Sequence, residues 1–130
     1  MPAVFVYGTL RPGSWNHDRW LAPWLAGPCR PASLRGPRLH HLGGLPYLVA
    51  SGDDADVVMG AVADLDPDLV GDALVELDVL EDTDGGHYVR VQVDLVGGER
   101  AWTYVAGPLV ADALDASTAV QHGDFLRIPR

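Results

Sequence analysis

The sequence contains no lysine and a single cysteine, Cys29. One thiol cannot form an intrachain disulfide, which fits a reducing compartment. No apolar run approaches the ~20 residues that a membrane-spanning helix needs. The amino terminus lacks a basic stretch leading into an apolar segment and a cleavage site, so no secretory signal is expected and the expected location is cytoplasmic. The nine basic residues are all arginines, scattered from Arg11 to Arg130. No basic stripe with interleaved aromatics forms, so neither nucleic acid nor a membrane is expected as a partner. The formal net charge of −9 favours solubility and names no ligand.

Familiar chemical motifs are also missing. The five histidines show no His-x₃-His pair and no Cys/His cluster, and His40 and His41 are adjacent, so on a strand they face opposite ways. No metal site is expected. Ser14, Ser33, Ser51 and Ser117 lack a Gly-x-Ser-x-Gly setting. The stretch from Gly8 to Gly13 has neither the Lys-Ser/Thr ending nor the Gly-x-Gly spacing of a phosphate loop. No internal repeat or linker is apparent.

What is present suits one domain over residues 1–130, since 48% of the residues are hydrophobic and the length allows a sizeable core. Fifteen glycines and ten prolines point to short elements joined by many turns. Residues 3–7 read as a strand buried on both faces. Asn16 is placed to cap a short helix from about His17 to Ala26, interrupted by Pro23 and by Gly27-Pro28. Leu34–Leu42, Leu45–Val49 and Val57–Ala63 read as strands, with Gly60 marking a bulge or a close approach. Asp66-Pro67 suits a helix start. Val70, Ala73, Leu74, Leu77 and Leu80 then recur at helical spacing until Asp84-Gly85-Gly86. Tyr88–Val96 alternates, Gly97-Gly98 signals a hairpin, and 99–105 returns as its partner. Residues 109–116 suggest a helical turn, and His122-Gly123-Asp124 a turn into a short last strand. Strands dominate and helices do not alternate with them. The expected class is therefore α+β, with a small mixed or antiparallel β-barrel and flanking helices.

One residue breaks the helical pattern. At ~100° per residue, Val70, Leu74 and Leu77 form a stripe, and Glu81 falls on its continuation. Two readings are open. Glu81 is a solvated residue past the helix end, or it turns into a cleft where burial raises its pKa and suits it to accept and return a proton. The second reading needs a substrate-holding loop nearby. Tyr7-Gly8-Thr9-Leu10, where the first strand ends, is the candidate. Its backbone N–H groups leave the ladder there, and such donors grip carboxylates or an acyl oxyanion. Tyr-Gly-Thr is also an ordinary exit from strand to turn.

Taken together, Tyr7-Gly8-Thr9-Leu10, Gly13, Asn16-His17, Leu77-Asp78-x-x-Glu81, Tyr88-x-Arg90 and Tyr104 resemble the gamma-glutamylcyclotransferase-like family. YGTLRPGSWNH is most similar to the branch acting on gamma-glutamylamines. The resemblance runs from residue 4 to Gly123-Asp124. It implies a small β-barrel with flanking helices and a gamma-glutamyl group held by Tyr7, Gly8, Thr9 and Leu10, largely through backbone. It implies Glu81 as catalytic general acid/base, no cofactor, and cyclisation to 5-oxoproline with release of an amine. Tyr88 and Tyr104 would line the pocket, or else pack as ordinary aromatics. Arg90 is read alternatively as structural, paired with an acid. The family often has glycine after the glutamate, whereas here Asp82-Thr83-Asp84 follows. This acidic loop is expected to raise the Glu81 pKa further or to change which amine is accepted. Two other functions stay open: an enzyme that removes a gamma-glutamyl protecting group in secondary metabolism, and a non-catalytic small-molecule binding module. The partner expected is a small gamma-glutamyl substrate, with the protein a monomer or weak dimer.

Overall fold

The four residues of β1, Ala3–Val6, are all buried, and they form the middle of a five-stranded sheet. The computed structural model describes residues 2–128. The other strands are β2 (Arg30–Leu42), β3 (Leu45–Asp64), β4 (Tyr88–Asp94) and β5 (Arg100–Ala106), in the order β2-β3-β1-β5-β4. β1 runs antiparallel to β3 and parallel to β5, so the sheet is mixed. Alternate side chains of β1 enter two separate cores. Val4 and Val6 join Leu21, Ala73 and Leu77 on one side, and Ala3 and Phe5 join Leu48, Val62 and Phe125 on the other. A strand apolar on both faces is what such a central position demands.

Helix α1, Val70–Leu80, covers the first core with Ala73 and Leu77. It begins later than the Asp66-Pro67 signal suggests. The Asp66 carboxylate accepts from the N–H of Asp68 at 3.0 Å, and so caps a preceding turn instead of the helix. The segment after Asn16 is not α-helical. It is a π-helical turn, His17–Leu21, followed by a 3₁₀ turn, Ala22–Trp24. Pro23 has no N–H to give, so a regular ladder cannot pass it. The Asn16 side chain makes no cap and donates instead to Thr9 Oγ1 at 3.0 Å. A short helix α2, Pro108–Ala111, stands where the helical turn is expected.

Three expectations are corrected. Leu45–Val49 and Val57–Ala63 are parts of the single strand β3, because residues 50–56, although mostly exposed and polar, run on within it, paired with β2 across a register shift at Gly36. The last segment forms a 3₁₀ turn, Phe125–Arg127, not a strand. The Asp124 carboxylate accepts from Leu126 N–H at 3.1 Å, and Phe125 is driven into the second core. The sheet is also not closed into a barrel. Among the described residues β2 and β4 share no ladder, and the β4–β5 connection meets β2 through a hydrogen bond from Val96 N–H to Ser33 C=O at 3.0 Å and an ion pair from Arg30 to Glu99 at 3.0 Å. The far half of β2 instead takes residues 118–120 on its open edge, with His41 N–H bonded to Thr118 C=O and Val120 N–H to Leu39 C=O, both at 2.8 Å. That half of the edge is satisfied without β4.

Gly60 is a close-approach point. A Cβ there would collide with the Val6 carbonyl oxygen and the Phe5 ring. Gly60→Ala is therefore expected to destabilise the fold by about 2–3 kcal/mol through overpacking at the centre of the sheet. Urea denaturation would measure it, and an unchanged midpoint would contradict this packing.

Candidate active site

The site begins where β1 ends. After Val6 the chain turns through Tyr7–Leu10, and Arg11 N–H closes the turn on Gly8 C=O at 3.1 Å. Gly8 is buried, and a Cβ at this position would strike the ring of Pro46. Glycine is thus required here by proximity to the start of β3. Asn16 N–H donates to Thr9 C=O at 3.1 Å, and His17 Nδ1 donates to Leu10 C=O at 2.8 Å. Arg11 reaches Asp124 at 2.7 Å, with both side chains mostly buried, and ties the loop to the carboxyl-terminal segment. Among the described residues, no group accepts from the N–H of Gly8, Thr9 or Leu10.

The second part comes from the end of α1. Glu81 is the residue that closes the helix, its N–H bonded to Leu77 C=O at 2.9 Å. Asp82 then takes a left-handed conformation, φ +52°, which swings the chain away. One turn earlier, Asp78 accepts Arg90 Nε at 2.9 Å, Arg90 Nη2 at 3.2 Å and the Tyr104 hydroxyl at 2.7 Å. Arg90 also lies over the Trp102 ring, 4.4 Å from its centroid. The acid partner expected for Arg90 is therefore Asp78. This cluster fastens the helix end to β4 and β5, and so fixes where Glu81 stands.

Both parts meet in one cavity of about 320 Å³. Tyr7, Gly8, Thr9, Leu10, Glu81, Tyr88 and Tyr104, the seven residues singled out from the sequence, all line it. The wall also contains residues the sequence reading did not assign to a site: Leu45 and Pro46 from the start of β3, Asn16, Leu80, Asp82 and His87. Asn16 carried a signal as part of the family-like segment. Leu45 and Pro46 carried none, because only the length of the β2–β3 hairpin brings them to Gly8. The three tyrosine hydroxyls donate inward, Tyr7 to Tyr104 C=O, Tyr88 to Pro46 C=O at 2.6 Å and Tyr104 to Asp78. Burial raises all three pKa values, so these hydroxyls stay protonated. Tyr47 stacks on Tyr88 with centroids 4.8 Å apart and stiffens that wall.

Glu81 is the group set apart. Removal of its carboxyl from water pushes its pKa from 4.5 up to about 7. The expected contribution of the acidic loop is absent, since burial alone accounts for the rise. Asp82 is engaged elsewhere, with its carboxylate 3.0 Å from His87 Nδ1. Among the described residues no cluster of three His, Cys, Asp or Glu could hold a metal ion, and no helix is long and apolar enough to cross a membrane.

A carboxyl whose pKa is raised in the folded state binds its proton more tightly there than in the unfolded chain. Its penalty on stability is absent below pH 4.5, grows as pH rises and is complete above about 7. Glu81→Gln, which stays neutral, is expected to gain stability over the wild type across that window, by up to about 3 kcal/mol. Denaturation curves at pH 4 and pH 8 would measure the gap, and an equal gap at both would contradict a buried Glu81.

No curated protein matches the chain. Solved structures do. YkqA from Bacillus subtilis is 26% identical with a TM-score of 0.60, over 95% of this chain and 39% of YkqA, so the chain spans well under half of that protein. An AIG2-like protein from Mus musculus is 24% identical with a TM-score of 0.65, over 100% of this chain and 97% of the mouse chain, and it shares the fold. A protein from Arabidopsis thaliana is 33% identical with a TM-score of 0.55, over 81% of this chain and 61% of its own. The family described as "Gamma-glutamyl cyclotransferase, AIG2-like" is matched over residues 4–127. With nearly every residue inside that match, the chain belongs to the gamma-glutamyl cyclotransferase, AIG2-like family.

Proposed function

We propose that the protein is a gamma-glutamyl cyclotransferase that converts a gamma-glutamyl amine or amide to 5-oxoproline and releases the amine. One observation carries this reading: a carboxyl with a pKa of about 7 shares a cavity with backbone N–H groups that have no acceptor among the described residues. The substrate's own alpha-amine is the nucleophile, so no serine or cysteine is required. Held against the gamma-carbonyl, it reacts as an oriented intramolecular group, which is worth several kcal/mol of the barrier.

The steps balance without a cofactor. The alpha-nitrogen forms a bond to the carbon of the gamma-carbonyl, and Glu81 takes the proton that this nitrogen must lose. The carbonyl oxygen becomes an oxyanion against the N–H groups of Thr9 and Leu10. The bond to the departing nitrogen then breaks, the carbonyl re-forms, and Glu81 returns the proton to the amine. A pKa near neutrality suits a group that must do both. The family membership and the fold shared with known relatives support an enzyme of this kind.

Incubation with a panel of gamma-glutamyl amines and dipeptides, read by mass spectrometry for 5-oxoproline, tests the reaction. Product from at least one is expected, and none from any would favour a binding module. Glu81→Gln is expected to lower kcat by roughly 10² or more with binding retained. Near-wild-type turnover would remove Glu81 from the reaction. The wild-type kcat is expected to fall on the acid side with a midpoint of about 7, because Glu81 must be ionised to accept the proton. A flat profile from pH 5.5 to 8 would contradict that role.

A further inference from the structure

The oxyanion donors in this reading are the N–H groups of Thr9 and Leu10, and something must aim them. A trans peptide is planar, with C=O and the following N–H pointing opposite ways. The described chain contains no cis peptide bond. The Gly8 carbonyl is drawn back by Arg11 N–H, and the Thr9 carbonyl by Asn16 N–H, each at 3.1 Å. Those two bonds orient the peptides that carry the Thr9 and Leu10 N–H groups.

The Leu10 carbonyl is different. Among the described residues no main-chain N–H reaches it, and it accepts instead from His17 Nδ1 at 2.8 Å. A carbonyl only accepts, so the proton is on Nδ1. The peptide that His17 holds is the one between Leu10 and Arg11. Its N–H is the donor to Gly8 C=O, and Gly8 C=O orients the N–H of Thr9. The imidazole therefore closes a ring of contacts from His17 through the 10–11 peptide to the Thr9 N–H. Asn16 braces the same residue from its side chain, donating to Thr9 Oγ1 at 3.0 Å. His17 itself is not among the residues that line the cavity.

We propose that His17 is a positioning residue which, without touching the substrate, holds the Thr9 and Leu10 N–H groups at the place where the oxyanion forms. This inference rests on the cyclisation proposed above. An oxyanion exists only along the reaction path, so a loosened cradle costs turnover and not substrate binding.

The test compares wild type with His17→Ala, His17→Asn and His17→Gln on gamma-glutamyl-n-butylamide, with melting temperatures measured alongside. Asparagine carries its amide nitrogen the same number of bonds from Cα as Nδ1, and glutamine carries it one bond further. His17→Ala is expected to lose roughly 10²-fold in kcat with KM within about threefold of wild type. His17→Asn is expected to recover most of that loss, and His17→Gln little. The acid limb of the pH profile is expected to stay at about 7, because Glu81 is untouched. Turnover of His17→Ala equal to wild type, a rise in KM with kcat unchanged, or asparagine as slow as alanine would each overturn the inference. If the alanine variant does not fold, the contrast between asparagine and glutamine decides. Wild-type protein that makes no 5-oxoproline from any gamma-glutamyl amide overturns the proposed reaction and this inference together. A failure confined to the His17 variants overturns only the inference.

Discussion

A carboxyl group withdrawn from water costs free energy when it ionises, and the fold imposes that cost on Glu81 at the end of α1. The apolar stripe of the helix packs against the sheet, and the residue that continues the stripe is an acid. Glu81 is only partly exposed to bulk water. It sits in a cavity roofed by tyrosines whose own hydroxyl protons are committed to the protein. Among the described residues no cation offsets that burial, and its pKa rises to about 7. The chemistry proposed for the site follows from that one constraint.

The rest of the structure holds the loop and the acid in register. β1 is central and pairs on both sides, so the point where it releases the chain is rigidly placed. The loop beyond it is tied back by main-chain bonds, by the His17 ring and by the Arg11–Asp124 pair. The helix end is fastened by Asp78, which takes Arg90 and Tyr104 from two strands at once. Removing one partner of so shielded a cluster leaves the others short of an acceptor or a charge. The acid and the amides are therefore set by independent supports that converge on one cavity.

Much of this was legible in the sequence because it depends on local periodicity. The phase of Val70, Leu74 and Leu77 places Glu81 on the packed face, and strand alternation puts Tyr88 with Arg90 and Tyr104 with Trp102. The double burial of β1 follows from its unbroken apolar run. What was not legible depends on distant pairing. The polar residues within 50–56 look like a loop, yet they belong to a strand because β2 runs beside them. Leu45 and Pro46 enter the site only through that hairpin. The sheet stays open, and the far half of β2 pairs instead with residues 118–120, a distant pairing no local pattern encodes. Arg90 announced a need for an acid, but only the tertiary arrangement identifies it as Asp78.

The proposed chemistry depends on the ionisation of one side chain. Carbon-13 labelling of the glutamate carboxyls, with Glu81→Gln to assign the signal, allows Glu81 to be titrated directly in the folded protein. A midpoint of about 7, displaced upward from 4.5, is expected. A midpoint near the ordinary glutamate value would mean that water reaches the carboxyl freely, and would contradict the site described above.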